Sequence, residues 1–450
     1  MNVTSVDLPV TKITLHNGLD VLVHEDHQLP IIAVNIWYHV GSKNEQPGRT
    51  GFAHLFEHLM FEGSEHCSTG YFPPLQQAGA SVNGSTNADR TNYWEVVPSN
   101  AIDLALWLES DRMGHLLPAL TQERFETQRA VVLNERRQNY ENRPYGLAIA
   151  AVMENLFPPE HPYHWLTIGA VDDLYAMQLD EVQNFFRTYY HPANASLSLA
   201  GNIDTDTAFK LAEQYFGDIP TGSSPQRPIV KTALSSEVRL VLEDRVEMPR
   251  VYMAWHSPAM FAKGDAEMDL ISDLLANGKA SRLYRVLVYE RRIALDVSAF
   301  QSSLEIGGFF LLVATGLAGT PLTSLVFAID EIIDEVCQEG PRVSELKRAQ
   351  AQTEAHFVYR LQTVGGFGGK SDQLNAYNVF RQDPEFFSAD LHRYQVATSD
   401  SVRQAVSQVL MPNQRVILSV VPHEQGQLAL TNSEPVSVSR PKWIVLDFLI

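Results

Sequence analysis

His54, Glu57 and His58 are the residues whose types and spacing could do chemistry in this chain. They stand in the run Gly51-Phe-Ala-His-Leu-Phe-Glu-His-Leu-Met-Phe-Glu62. Its period is helical, and Phe52, Leu55, Phe56, Leu59, Met60 and Phe61 make it apolar nearly all round, as in a buried helix. Burying two imidazoles and a carboxylate there is costly unless they have partners. The histidines are spaced i,i+4, so they project from one face within reach of a single metal ion. Glu57 lies beside that face, where a carboxylate can hold a water near the metal without ligating it. Two core histidines bonded to backbone are the alternative. The order His-x-x-Glu-His, the inverse of His-Glu-x-x-His, favours the metal.

A catalytic zinc wants a third protein ligand and an open position. The segment Phe125-Glu-Thr-Gln-Arg-Ala-Val-Val-Leu-Asn-Glu135 reads as a second helix, with Phe125, Val131, Val132 and Leu133 apolar. Glu135 follows His58 with 76 residues between them, positions 59 to 134. With these two segments the chain resembles the pitrilysin-like (inverzincin, M16) metallopeptidases, in the short two-domain form. The resemblance implies that His54, His58 and Glu135 ligate Zn2+ and that Glu57 is the catalytic general base. It also implies a supporting role for Gln128, seven residues before Glu135, where many relatives carry glutamate.

The resemblance continues through Gly79–Pro98, which matches the family's strand beside the active site and makes Asn83, Gly84 and Ser85 the residues that pair with extended peptide. Main-chain pairing of that kind binds peptide with little regard to side chain. His161-Pro-Tyr163, Ile168-Gly169 and Tyr189–Asp204 also match, as scaffold, so His161, His164 and His191 are expected to be structural. The second half departs from the pattern. Aligned on Ser281-Arg-Leu-Tyr284, the positions where active relatives carry an arginine and a tyrosine hold Val288 and Leu295. A register using Arg282 and Tyr289 breaks that anchor. The departure implies a zinc-bearing subunit completed by a paralogous partner that supplies Arg and Tyr. A non-catalytic structural subunit and a self-sufficient homodimeric peptidase stay open.

Composition narrows the classes. A net charge of −19 argues against nucleic acid, which needs a basic face. Two cysteines, Cys67 and Cys337, make no disulfide framework and fit a reducing compartment. The first ten residues have neither a basic, apolar leader nor an Arg-rich amphipathic one, and no apolar run is long enough to span a bilayer. A cytoplasmic location with no membrane partner is the expectation.

Along the chain, Asn17-Gly18 signals a two-residue hairpin. Ile31–His39 reads as a buried strand, and helical patterns fall near 51–62, 69–79, 100–117, 122–141, 145–156, 179–189 and 205–215. Strands near 81–97 and 195–203 interrupt them. The Pro/Gly/Ser-rich stretch after Gly217 is the best boundary. Beyond it, Leu240–Pro249 and Val251–His256 echo Val21–Pro30 and Ile31–His39, each pair placing Glu-Asp before a proline and a strand bearing Trp37 or Trp255. The expected fold is α+β: two homologous α/β-roll domains, each a mainly antiparallel sheet packed with helices. Residues 1–220 form the zinc-binding catalytic domain, 221–232 a linker, and 233–450 a homologous domain without zinc. Gly365-Gly-Phe-Gly-Gly369 reads as a mobile loop or turn.

Overall fold

The computed structural model describes residues 7–436 except 224, 226–229 and 231, so the expected linker and the outer ends of both expected domains lie partly outside the described residues. Among these residues, twelve strands form two six-stranded sheets. The first contains β1 (Thr11–Thr14), β2 (Asp20–Glu25), β3 (Ile31–Tyr38), β4 (Ser81–Thr86), β5 (Thr91–Pro98) and β6 (Ala195–Gly201), in the order β1-β2-β6-β3-β5-β4. The second contains β7 (Val238–Asp244), β8 (Arg250–Ser257), β9 (Ala294–Ser302), β10 (Gly308–Gly316), β11 (Val416–Pro422) and β12 (Glu434–Pro435), in the order β12-β7-β11-β8-β10-β9.

The two orders correspond over five strands, β2-β6-β3-β5-β4 matching β7-β11-β8-β10-β9, and differ at the sixth: β1 is antiparallel to β2, whereas β12 is parallel to β7. β2 and β6 are parallel, as are β7 and β11, and in each sheet the three pairs beyond are antiparallel. β6 and β11 are buried along their whole length, which is why Ser-Leu-Ser-Leu-Ala and Val-Ile-Leu-Ser-Val-Val carry no charge. The echo of the first half in the second is therefore structural. It extends to the helix after the long central strand: α1 (Phe52–Leu59) starts at Gly51 (φ 95°), and its counterpart Asp265–Ala276 starts at Gly264 (φ 96°). Three, six and seven residues beyond the glycine stand His54, Glu57 and His58 in the first half, and Glu267, Leu270 and Ile271 in the second.

Two local readings are refined. Asn17-Gly18 sits in a three-residue loop, not a two-residue one: Leu15 N–H donates to Leu19 C=O (2.8 Å), and Gly18 takes the left-handed position (φ 92°). Residues 81–97 are two strands joined at Asn87–Arg90, because Asn87 Oδ1 accepts from the Asp89 and Arg90 amides and turns the chain.

The halves cover each other. The helix Ala148–Leu156, from the first half, packs with Leu240, Leu242, Leu418 and Val420 of the second sheet. The helix Lys370–Arg381, from the second half, lies on β6 and β3, where Asn375 Nδ2 donates to Asn35 C=O (2.8 Å) and Asp372 Oδ1 accepts from Trp37 Nε1 (2.9 Å). The glycine loop ahead of it is docked, not a simple reversal. A Cβ on Gly365 would lie 2.5 Å from Val96 and 2.7 Å from Ala33, and Phe367 meets Trp94 edge-on. Among the described residues no helix is long and apolar enough to cross a membrane.

Candidate metal centre

α1 is held at its first turn from outside. Its N-cap is glycine and has no side chain to satisfy the exposed N–H groups. Glu45 supplies the acceptor: its carboxylate takes the Gly51 amide (3.0 Å) and the Ala53 amide (2.9 Å), and burial pushes the carboxyl up to about 8. Thr50 is pinned by Asp173 (Oγ1–Oδ2 2.6 Å). Gly169 passes so close that a Cβ there would lie 2.5 Å from Gly51 Cα, which accounts for the Ile168-Gly169 signal. Asp173 and Gly169 are more than a hundred residues away along the chain; Glu45 is six residues before the cap, and the sequence reading did not find it.

The helix α2 (Ile102–His115) packs on β3 and β5, and α3 (Gln122–Arg136) carries Glu135. Buried positions on α3 are Phe125, Gln128 and Val132; Glu135 continues that face at helical spacing, toward α1. Val131, read from sequence as part of the apolar set, is 43% exposed. Arg136 Nη1 donates to Gly169 C=O (2.8 Å), tying α3 to the loop that holds the start of α1.

Nε2 of His58 and Nε2 of His54 lie 3.4 Å and 3.7 Å from one oxygen of Glu135, with the imidazole centroids 4.9 Å apart. One ligand atom from each residue lies within 4.8 Å of the other two. Burial, then the charge of His58, pushes the His54 imidazole down to about 4, so it is neutral and keeps a lone pair. His54 Nδ1 is buried without a hydrogen-bond partner. Two imidazole nitrogens and one carboxylate oxygen are a zinc donor set, and these residues fit that ion. Glu57 is on the same helix. Burial raises its carboxyl above the usual range, while the Thr86 hydroxyl, His58 and Arg90 pull it back.

Other expected residues fall out as follows. Gln128 is buried on the face of Glu135, but the hydrogen bond to Glu135 comes from Asn139 Nδ2 (3.4 Å) on the π-turn Arg137–Glu141, a residue the sequence reading passed over. Asn83, Gly84 and Ser85 lie on β4, which among the described residues pairs only with β5 and forms an edge of the sheet beside α1. His161, His164 and His191 are held by backbone: the Tyr163 amide donates to His161 Nδ1 (3.0 Å), and His164 and His191 meet the carbonyls of Phe157 and Thr188. In the second half Val288 packs on the core and Leu295 is exposed on β9. Arg282 is buried in ion pairs with Glu345 (2.7 Å) and Glu335 (3.3 Å), so the register that would send it to the site is not available. Cys67 and Cys337 are both free.

Two family models match the chain: "Insulinase (Peptidase family M16)" over residues 20–160 and "Peptidase M16 inactive domain" over residues 176–353. The fold and these matches define a zinc-protease family, and the chain belongs to it: it is a pitrilysin-like member of peptidase family M16. It is 28% identical over 370 residues to the zinc protease PqqE of Helicobacter pylori, covering 80% of this chain and 81% of that one. It is 25% identical over 347 residues to the mitochondrial-processing peptidase subunit beta of Caenorhabditis elegans, covering 74% and 72%. The crystal structure of a protease from Helicobacter pylori superimposes with a TM-score of 0.85 at 25% identity, over 92% of this chain and 100% of that one.

Proposed function

We propose that this chain is a zinc-dependent endopeptidase subunit. The observation that carries the reading is the convergence of His54 and His58 from α1 with Glu135 from α3, beside Glu57 and the free edge of β4. The relatives named zinc proteases support it. His54, His58 and Glu135 would hold a zinc ion, which when bound would supply a Lewis acid to the reacting groups. Glu57 is the general base: it accepts a proton from the attacking water and delivers it to the leaving amine. The peptide lies extended along Asn83–Ser85, which present an unpaired strand edge and so bind backbone rather than a particular side chain. The substrates are oligopeptides or unfolded segments taken into a closed chamber.

The second half supplies no donor to the oxyanion at Val288 or Leu295, and an absent donor costs on the order of 10²–10³ in rate. A paralogous partner with an arginine and a tyrosine at those positions completes the site. The family description of the second half as an inactive domain accords with a half that lacks zinc chemistry of its own. The test is metal content and peptide cleavage, measured for the chain alone and with the paralogue. A metal-free chain, or one whose Glu57→Gln variant cleaves normally, overturns the reading.

A further inference from the structure

We propose a second metal site, formed by Glu65, His66 and His115, that takes one divalent transition ion such as Zn2+. It uses none of the residues of the first centre and stands independently of the proposed activity. One nitrogen from each imidazole and one oxygen of Glu65 lie within 4.8 Å of one another. His115 Nδ1 is 3.2 Å from Glu65 Oε2, and the two rings meet edge to face at 4.8 Å between centroids. A tetrahedral ion at about 2.0–2.1 Å needs donors somewhat closer together than this. The three side chains are each about half exposed, so they can close the difference by rotation: 47% for Glu65, 53% for His66 and 50% for His115.

The site is built rather than incidental. Asp111, 4% exposed on α2, takes His66 Nδ1 at 2.6 Å and leaves Nε2 as the bare nitrogen of that ring. A carboxylate behind a ligating histidine fixes its tautomer and orientation. The same carboxylate accepts from the Ser64 hydroxyl and from the His66 amide (3.3 Å), so it shapes the turn that presents two of the ligands. The Glu65 amide donates to His115 C=O (3.0 Å), which fixes the backbone of that turn against the last residue of α2. Two nitrogens and one oxygen favour Zn2+, Co2+ or Ni2+ over Mg2+ or Ca2+, which prefer oxygen alone. An ion bound here clips the loop that follows α1 onto the end of α2.

Equilibrium dialysis and calorimetry with zinc alone test this. The full chain should take up two equivalents, the weaker one at the half-exposed site. His66→Ala with His115→Ala should remove the weaker equivalent and leave the tighter, without disturbing the fold, because both side chains are at the surface. His54→Ala with His58→Ala should do the reverse. Asp111→Asn should weaken the second equivalent about tenfold or more, and Mg2+ should not compete. Unchanged zinc uptake in the His66→Ala, His115→Ala chain overturns the site. So does zero uptake by a His54→Ala, His58→Ala chain whose circular dichroism is native. Failure of the first centre instead shows as a His54→Ala, His58→Ala chain that still binds its tight equivalent.

Discussion

Glu305, in the second half, places its carboxylate 2.7 Å from Nε2 of His39 in the first. Lys43 also donates to it, and Asp89 accepts the Glu305 amide (2.9 Å), so the group joins the halves. Burial alone would raise this carboxyl, yet His39 and Lys43 hold it down to about 2. A carboxyl lowered in the folded state adds stability that is complete above its unfolded value, near 4.5, and is lost as the pH falls toward 2. The shift is worth up to roughly 3 kcal/mol. Glu305→Gln should therefore lower the urea midpoint at pH 7, and the gap from the parent chain should narrow steadily below pH 4.5. A gap constant down to pH 3 would assign the loss to packing.

The tight zinc equivalent should disappear in His54→Ala with His58→Ala, and Glu135→Gln should weaken it. Metal analysis after dialysis against a weak chelator reads this directly. Retention of the tight equivalent in the double variant removes these residues as ligands.

Glu57→Gln should keep the tight zinc and lose peptide cleavage by about 10²–10⁴, the range for a positioned proton carrier. The amide keeps the shape and cannot take a proton. Loss of metal with activity would instead make Glu57 a ligand or a structural residue.

Arg112 is the only cation among the buried groups Tyr71, Glu95 and Glu109. It donates through Nε to Glu109 (2.9 Å) and stands 3.8 Å over the Tyr71 ring and 4.1 Å over that of Tyr93. Arg112→Leu strands the Glu109 carboxylate in the core and should cost about 3–5 kcal/mol, read as a large fall in melting temperature. An unchanged melting temperature would mean that water reaches the cluster.

Alone, the chain should cleave a mixed peptide pool weakly despite a loaded centre, and the paralogue with an arginine and a tyrosine should restore turnover. Robust cleavage by the chain alone, with its native mass measured in the same buffer, would show that Val288 and Leu295 leave nothing missing.

The sequence by itself determined what depends on local spacing. His54 and His58 share a face because helical geometry brings i and i+4 together, and the central strands show as apolar runs because both their faces are covered. The duplication was visible where a short pattern recurs, at Glu-Asp, proline and tryptophan. Tertiary structure decided which groups meet. Glu45 reaches a helix start that carries no cap of its own, and Asn139 on the π-turn, not Gln128, bonds Glu135. Arg282 is drawn into Glu345 and Glu335 across more than fifty residues, and each half lends the other a helix. The Arg282 pairs and the exchanged helices rest on long loop closures whose partners no local period marks, and there the sequence reading stops.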